Sequence, residues 1–508
     1  MTATATTDSA QDLLATLSFA SAREQAQALV DGRVSALDLL EQTLARIDRF
    51  DGAVNAIAVR DDEGARRAAR EADSALARGE RKALLGVPVT VKESFDVAHL
   101  VTSGGDPRYA ANRAEQDSLA VAALREAGAV IVGKSNVPLA NADLETYNDI
   151  YGVTRNPWDL KRSPGGSSGG SAAALAAGYV ALELGSDIGG SIRIPAHFTG
   201  VFGHKPSYGI VSMRGTGAPG GRIVDRDLSV AGPLARSAGD LELALDLLVN
   251  REPLARKAWR LTLPPPRQTR LQDFRVLVLE AWPGTEASLS ERWAVERVVE
   301  RLRSQGTQVS RIGDLPAGLL PDLVSSHPLF RTLSGASLAE PPRLSARAQQ
   351  QWAALHPDDR SADAARLRAP TLSHREWIKA DEQRFALRHA WEKLFGSFDV
   401  VVTPVAPTPA FEHNHSLSKD ERAYPVAFQD GLRQLPFFEL FYWAGLPVLP
   451  GLPATSFPLG LDDDGLPVSA QAVGAYLEDR TTIAFALAFE TAYGGFIAPP
   501  GYRGANAS

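Results

Sequence analysis

Two glycine–serine loops bracket an alanine-rich stretch in this chain: Ser163-Pro164-Gly165-Gly166-Ser167-Ser168-Gly169-Gly170-Ser171 and Gly185-Ser186-Asp187-Ile188-Gly189-Gly190-Ser191. In the second, two glycines precede a serine, so consecutive backbone N–H groups without side chains in the way can converge on one point and stabilise an oxyanion. Acyl transfer needs donors of that kind, and Ser191 is the candidate nucleophile. It is expected to open a short helix through Ile192-Arg193-Ile194, broken at Pro195, whose N-terminal partial charge adds to the effect. A serine hydroxyl becomes a useful nucleophile only when a base takes its proton. None of the nine histidines falls in a recognisable triad motif. The letters Gly-x-Ser-x-Gly do occur at 166–170, but they follow Ser163-Pro164 rather than a strand. The other base is a lysine desolvated enough to be neutral near pH 7. Lys92 ends the run Gly86-Val87-Pro88-Val89-Thr90-Val91-Lys92-Glu93, directly after a buried-strand pattern. From that strand alone, pairing of Lys92 with Glu93 or another carboxylate is an equal reading. The first loop lacks the lysine of a phosphate-binding G-x-x-x-x-G-K-[ST] motif, and it is too short and too directly joined to an apolar helix to be a linker.

The elements that must position these groups follow from periodicity. Short β-branched runs alternate with alanine-rich amphipathic segments: strands are predicted at 87–91, 129–133, 180–184, 274–279 and 400–402, and helices at 119–127, 172–177, 239–249 and 293–302. This alternation predicts an α/β protein with a mixed or mostly parallel sheet covered by helices on both faces. Ser35 followed by Asp38 reads as a helix start, with Leu40, Leu44 and Ile47 on one face of an N-terminal helical layer over 1–50. Residues 315–395 are helix-prone and lack strand signals, and are read as an insertion or cap because the strand pattern resumes at Val400.

Composition narrows the function classes. With 44% hydrophobic and 22% charged residues in 508, the chain can bury a large core. Against 60 acidic residues stand 53 basic ones, a net charge of −7 without long single-sign runs, which argues against nucleic-acid binding. There is no cysteine, so disulfides, thiolate nucleophiles and cysteine-ligated metals are excluded. Met1–Ala10 lacks the basic start and apolar stretch of a secretory signal, and no apolar run approaches the roughly 20 residues that cross a bilayer, so a cytoplasmic protein without membrane association is expected.

Three ordered pieces, the Lys92 strand motif, Gly165-Gly166-Ser167-Ser168-Gly169-Gly170 and Asp187-Ile188-Gly189-Gly190-Ser191-Ile192-Arg193, together resemble the amidase signature family. Gly133-Lys134-Ser135-Asn136-Val137-Pro138, Gly203-His204-Lys205-Pro206-Ser207-Tyr208-Gly209 and Gly232-Pro233-Leu234-Ala235-Arg236-Ser237 extend the likeness over most of the chain, most weakly over 315–395. The resemblance implies a single amidase domain over 1–508, built on a large mixed, mostly parallel twisted sheet sandwiched by helices. It implies a Ser–cis-Ser–Lys triad of Ser191, Ser167 and Lys92, with a cis bond between Gly166 and Ser167 and an oxyanion hole from the amides of Ile188, Gly189, Gly190 and Ser191. No metal or cofactor is implied. By the same alignment Asn141, Ala142 and Leu144 line the acyl channel and the glycine-rich loop 214–222 forms its rim. Asp187 and Arg193 are expected to brace one another, Ser168 to cap the following helix, and Trp352, Trp377 and Trp443 to pack as core or as apolar walls. The expected substrate is a small-molecule amide, apolar or aromatic, including anilides, with carbamates (urethanes) and esters within reach of a urethanase or aryl acylamidase. A monomer or homodimer is expected. The alternative is the glutaminase subunit of a tRNA-dependent amidotransferase complex, from which the segment Gly209-Ile210-Val211-Ser212-Met213-Arg214-Gly215-Thr216 departs.

Overall fold

The Ser35 hydroxyl accepts the Asp38 amide at 3.0 Å and so satisfies one of the free donors at a helix start. The helix it opens, Ala36–Val54, buries Leu39, Leu40, Leu44 and Ile47 and ends on Asn55 in the left-handed conformation. With Thr4–Leu17 and Ala22–Val30 it forms the expected N-terminal helical layer, which runs a few residues past position 50. These features belong to a computed structural model that describes residues 4–217, 223–249, 251–337, 345–415 and 418–503. Of the expected rim loop 214–222, residues 218–222 lie outside the described residues.

The core is an eleven-stranded sheet. Its order is Ile57–Arg60, Val130–Ser135, Pro88–Lys92, Leu182–Asp187, Val230–Ala235, Phe202–Lys205, Ala454–Leu461, Pro467–Val473, Val400–Pro404, Arg275–Val278 and Gln308–Arg311. Every residue of Pro88–Lys92, Val130–Ser135, Leu182–Asp187 and Val400–Pro404 is buried, as strands covered by helices on both faces must be. The sheet is mixed as expected but not mostly parallel: six of the ten neighbouring pairs are antiparallel. Parallel triplets occupy the flanks, 130–135/88–92/182–187 and 400–404/275–278/308–311, and the antiparallel block lies between them. Parallel strands need long crossovers and so show as alternation along the sequence, whereas Ala454–Leu461 and Pro467–Val473 are joined by the short turn at 462–466, which alternation does not register.

The helices Leu323–Ala336, Ala346–Ala353, Ala362–Arg368 and His374–Phe395 occupy the 315–395 segment between two strands of the sheet. They are not a detached appendage. Phe330, Leu333 and Ala380 pack with Leu228, Val448 and Leu449, and Ile188 and Trp377 join the same cluster at its edge. The insertion therefore rests against the loop that carries the candidate nucleophile.

Candidate active site

Lys92 is the last residue of a strand held between two parallel neighbours. Crevices outside the carboxyl ends of such strands are where α/β sheets bind ligands. The amine is fully buried and lies 2.7 Å from the Ser167 Oγ, 3.0 Å from the Ser168 Oγ and 3.1 Å from the Ser186 Oγ. Its hydrogen-bond partners among the described residues are three hydroxyls and no carboxylate. Burial pushes the Lys92 amine down to about 7, against the opposing pull of Asp187 and Glu183. The Glu93 carboxylate turns away to the Ser103 and Gly104 amides, at 2.6 and 2.8 Å, so the pairing of Lys92 with Glu93 that the strand alone allowed does not occur. The Gly166–Ser167 peptide bond is cis. A Cβ on Gly166 would fall 2.5 Å from the Asp143 carbonyl oxygen, so only glycine fits against the 143–145 backbone.

The loop after strand Leu182–Asp187 is organised by one buried ion pair. Arg193 Nη2 and Nε lie 3.0 and 3.1 Å from the two Asp187 oxygens, and the guanidinium also donates to the Gln471 side chain and the Ala444 carbonyl, both at 2.7 Å. Asp187 in turn accepts the amides of Gly190 (2.8 Å) and Ile192 (3.1 Å). Burial pushes this carboxyl up, but Arg193 and the Gly190 amide outweigh it and hold it below the usual range. The pair is thus the structural brace expected of it. The same bond separates Gly190 from the other expected oxyanion donors, because its N–H is spent on Asp187. Among the described residues the amides of Ile188, Gly189 and Ser191 donate to no protein acceptor. Pro195 does not break the helix: it sits in the first turn of Arg193–Thr199, where its missing N–H has no intrahelical partner to lose.

Ser191 is half-buried, and its carbonyl accepts the Ser168 amide at 3.1 Å, which ties the two serine loops together. Among the described residues its hydroxyl makes no hydrogen bond, so Lys92 and Ser167 are in hydrogen-bond contact and Ser167 and Ser191 are not. Catalytic hydrogen bonds are often loose without substrate and tighten on its arrival. Ser168 corrects an expectation: it precedes helix Gly169–Ala176 but makes no capping bond, and its hydroxyl faces Lys92 instead. Together with Ser186 it is a site residue that sequence reasoning missed, although both lie inside the quoted loops. The rival buried bases are committed elsewhere. Lys205, also pushed to about 7 by burial, donates to the carbonyls of Pro206 and Leu452. His197 bonds the Thr408 carbonyl and the Ser469 amide, and His204 bonds Thr455 and Asp479.

The expected acyl-channel residues divide. Leu144 packs in a cluster with Ile194 and Ala444, with Phe441 at its edge; Asn141 is half-buried with its Oδ1 unpartnered; Ala142 is exposed, its carbonyl held by Lys419. Of the tryptophans, Trp443 is core and donates to Glu291, Trp352 is exposed, and Trp377 joins the Phe330 cluster beside Ile188. What pattern reasoning did not find is the wall opposite the glycines. A Cβ on Gly189 would meet the rings of Phe441 at 3.4 Å and Phe330 at 3.7 Å. No spacing rule links Phe330 and Phe441 to residue 189: the insertion brings the first there, and the turn Phe437–Phe441 after the 423–436 hairpin brings the second.

A buried lysine at the carboxyl end of a strand, in contact with serines of two glycine-rich loops on a mixed eleven-stranded sheet, is an arrangement shared with known proteins. The family model described as Amidase matches residues 38–483, and the chain belongs to this family of amidase signature enzymes. It is 36% identical over 481 residues to the protein named "Putative amidase AmiB2" of Mycobacterium bovis, covering 94% of this chain and 96% of that one. It is also 32% identical over 499 residues to a glutamyl-tRNA(Gln) amidotransferase subunit of Anaeromyxobacter sp. (strain K), covering 94% and 97%. A solved structure described as an amidase superposes with a TM-score of 0.73 at 29% identity, over 94% of this chain and all of the other.

Proposed function

We propose that this amidase-family hydrolase cleaves carboxylic amide C–N bonds through an acyl-serine intermediate on Ser191, with Lys92 as the base acting through Ser167. The observation that carries the reading is a fully buried amine, pushed down to about 7, in contact with the Ser167 hydroxyl and with no carboxylate partner. Ser191 attacks the acyl carbon while its proton passes to Ser167, which gives its own to neutral Lys92. The amides of Ile188, Gly189 and Ser191 receive the charge that develops on the carbonyl oxygen. Protonated Lys92 then returns a proton along the same path to the leaving nitrogen, and a water, deprotonated by the same relay, attacks the acyl-enzyme and releases Ser191.

The substrate class follows from the wall. Phe330 and Phe441 face Gly189, and Trp377 packs with Phe330, which supports apolar or aryl amides and anilides, with carbamates and esters accepted by the same chemistry. Arg193, the cation the second loop offers for a substrate carboxylate, is fully paired with Asp187. Arg331 is different: it is buried with an unpartnered Nη2 beside the Phe438 and Phe441 rings, so amides whose acyl group carries a carboxylate belong in any screen. The reaction would take place in the cytoplasm, in a monomer or homodimer. The second reading, a glutaminase subunit delivering ammonia within an amidotransferase, is favoured by the relative from Anaeromyxobacter. A hydrolysis screen over anilides, aliphatic amides, carbamates, esters, carboxylate-bearing amides and glutamine, with Ser191→Ala as control, separates the two. Turnover of anilides that is lost in the variant is the expected result. Glutamine as the sole good substrate would install the second reading, and equal turnover by the variant would remove both.

A further inference from the structure

Behind the Gly166–Ser167 loop lies a cluster that the hydrolytic mechanism does not use. Glu145 is completely buried, and its Oε2 faces two imidazoles of the 412–415 loop: His413 Nδ1 at 3.2 Å and His415 Nε2 at 3.0 Å. All three atoms lie within 4.8 Å of one another. Two imidazole nitrogens and one carboxylate oxygen are a ligand set suited to zinc, and bonds of about 2.0–2.1 Å in tetrahedral geometry separate neighbouring ligand atoms by about 3.3 Å. The two carboxylate–imidazole edges, 3.2 and 3.0 Å, lie near that spacing, the first of them also a hydrogen bond. His415 Nε2 is buried and 3.0 Å from Oε2 without the angle of a good hydrogen bond to it.

The surroundings hold these groups as outer partners of a metal site do. The other carboxylate oxygen, Oε1, accepts from Tyr424 Oη at 2.6 Å and Arg422 Nη1 at 3.2 Å. The His415 ring stacks on Tyr147, with centroids 3.7 Å apart and planes 19° from parallel. The Asn414 amide, between the two histidines, donates to Glu145 Oε2 at 3.1 Å. Arg422 bridges Asp143 and the Oε1 of Glu145, and Lys419 is held on the Ala142 carbonyl, so Oε2 is the Glu145 oxygen turned to the two imidazoles.

We infer that Glu145, His413 and His415 form a binding site for a single divalent transition-metal ion, zinc by preference, that pins the 412–415 loop to the 143–146 segment. The role is positional. The Thr146 hydroxyl donates to the Gly165 carbonyl at 2.9 Å and accepts the Gly169 amide at 3.2 Å, and the 143–145 backbone abuts Gly166, so the ion would steady the loop that presents Ser167.

The test uses full-length protein without a histidine tag, stripped with a chelator and titrated with zinc by calorimetry, with metal content measured after gel filtration. One zinc per chain, a rise in melting temperature, and loss of both in His413→Ala/His415→Ala are expected. Both histidines are partly exposed, so the variant should fold. The wild type titrated with cobalt(II) gives a second readout: an intense visible spectrum of tetrahedral type, absent from the variant. No retained zinc in the wild type, equal zinc in the double variant, or a cobalt spectrum no different from that of the aqueous ion overturns the proposal.

Discussion

At the scale of single residues, burial does what sequence spacing cannot. Lysine is ordinarily charged at neutral pH, and its ammonium becomes a base only where desolvation disfavours the charge. Lys92 meets that condition completely, and its neighbours are hydroxyls. Because the working form is the neutral amine, kcat should rise with pH through about 7 and level off above it, and fall about tenfold per unit on the acid side. Lys92→Met should lower kcat by about 10²–10⁴-fold with little change in KM, a loss typical of removing a general base. Steady-state rates from pH 5 to 9 check both. A lysine closing an apolar strand run made this residue a candidate, evenly balanced against an ion pair, and the family resemblance decided between the two. Its partners were only half legible: Ser167 came through the family resemblance, while Ser168 and Ser186 were hidden because a hydroxyl's direction depends on loop geometry that letters do not encode.

Between strand Leu182–Asp187 and helix Arg193–Thr199, the loop that carries Ser191 owes its shape to the Asp187–Arg193 pair. Removing one partner of a fully buried pair leaves an uncompensated charge, so Asp187→Asn should destabilise the protein by about 3–5 kcal/mol, read from urea unfolding. It should also lower kcat, because the Gly190 and Ile192 amides lose the carboxylate that orients the loop. Two charged residues in a glycine-rich loop made the brace legible. The use of the Gly190 amide within it was not, since four consecutive amides look equivalent in sequence and only the positive φ of Gly190 turns one of them back. The strands expected at 87–91, 129–133, 180–184, 274–279 and 400–402 and the helices expected at 119–127, 172–177, 239–249 and 293–302 lie within a few residues of those observed, whereas the edge strands Ile57–Arg60 and Gln308–Arg311 were not foreseen. The central strands Phe202–Lys205 and Val230–Ala235 carry Gly, His, Lys and Pro, and no strand was expected there.

Across the whole molecule, one sheet takes strands from residue 57 to residue 473, and the insertion packs on it where Leu323, Trp391 and Leu394 meet Leu277, Val401 and Val473; a single domain over 1–508 is what we propose from this. That packing could not be read from composition, because a helix-rich insertion of this kind carries no signal for the surface it will cover. Among the described residues, three lysines are buried inside the fold. Burial pushes Lys92 and Lys205 down to about 7 and Lys134 to about 8. Unfolded lysine titrates near about 10.4, so between about pH 7 and 10 the unfolded chain holds more protons than the folded one. The contribution of these lysines to stability is therefore unfavourable below that window and improves as pH rises through it. The urea midpoint should increase from pH 7 to 9, and Lys205→Met should flatten the increase.

The relay from Ser191 to Lys92 is tested most directly by the rate at which a fluorophosphonate modifies Ser191, followed by intact-protein mass spectrometry across pH in the wild type and in Lys92→Met. A single adduct on Ser191, forming faster as pH rises through about 7 in the wild type and at least about 10²-fold slower in the variant, is the predicted result. Labelling of Ser191 at the same rate in both proteins would contradict a lysine-driven nucleophile.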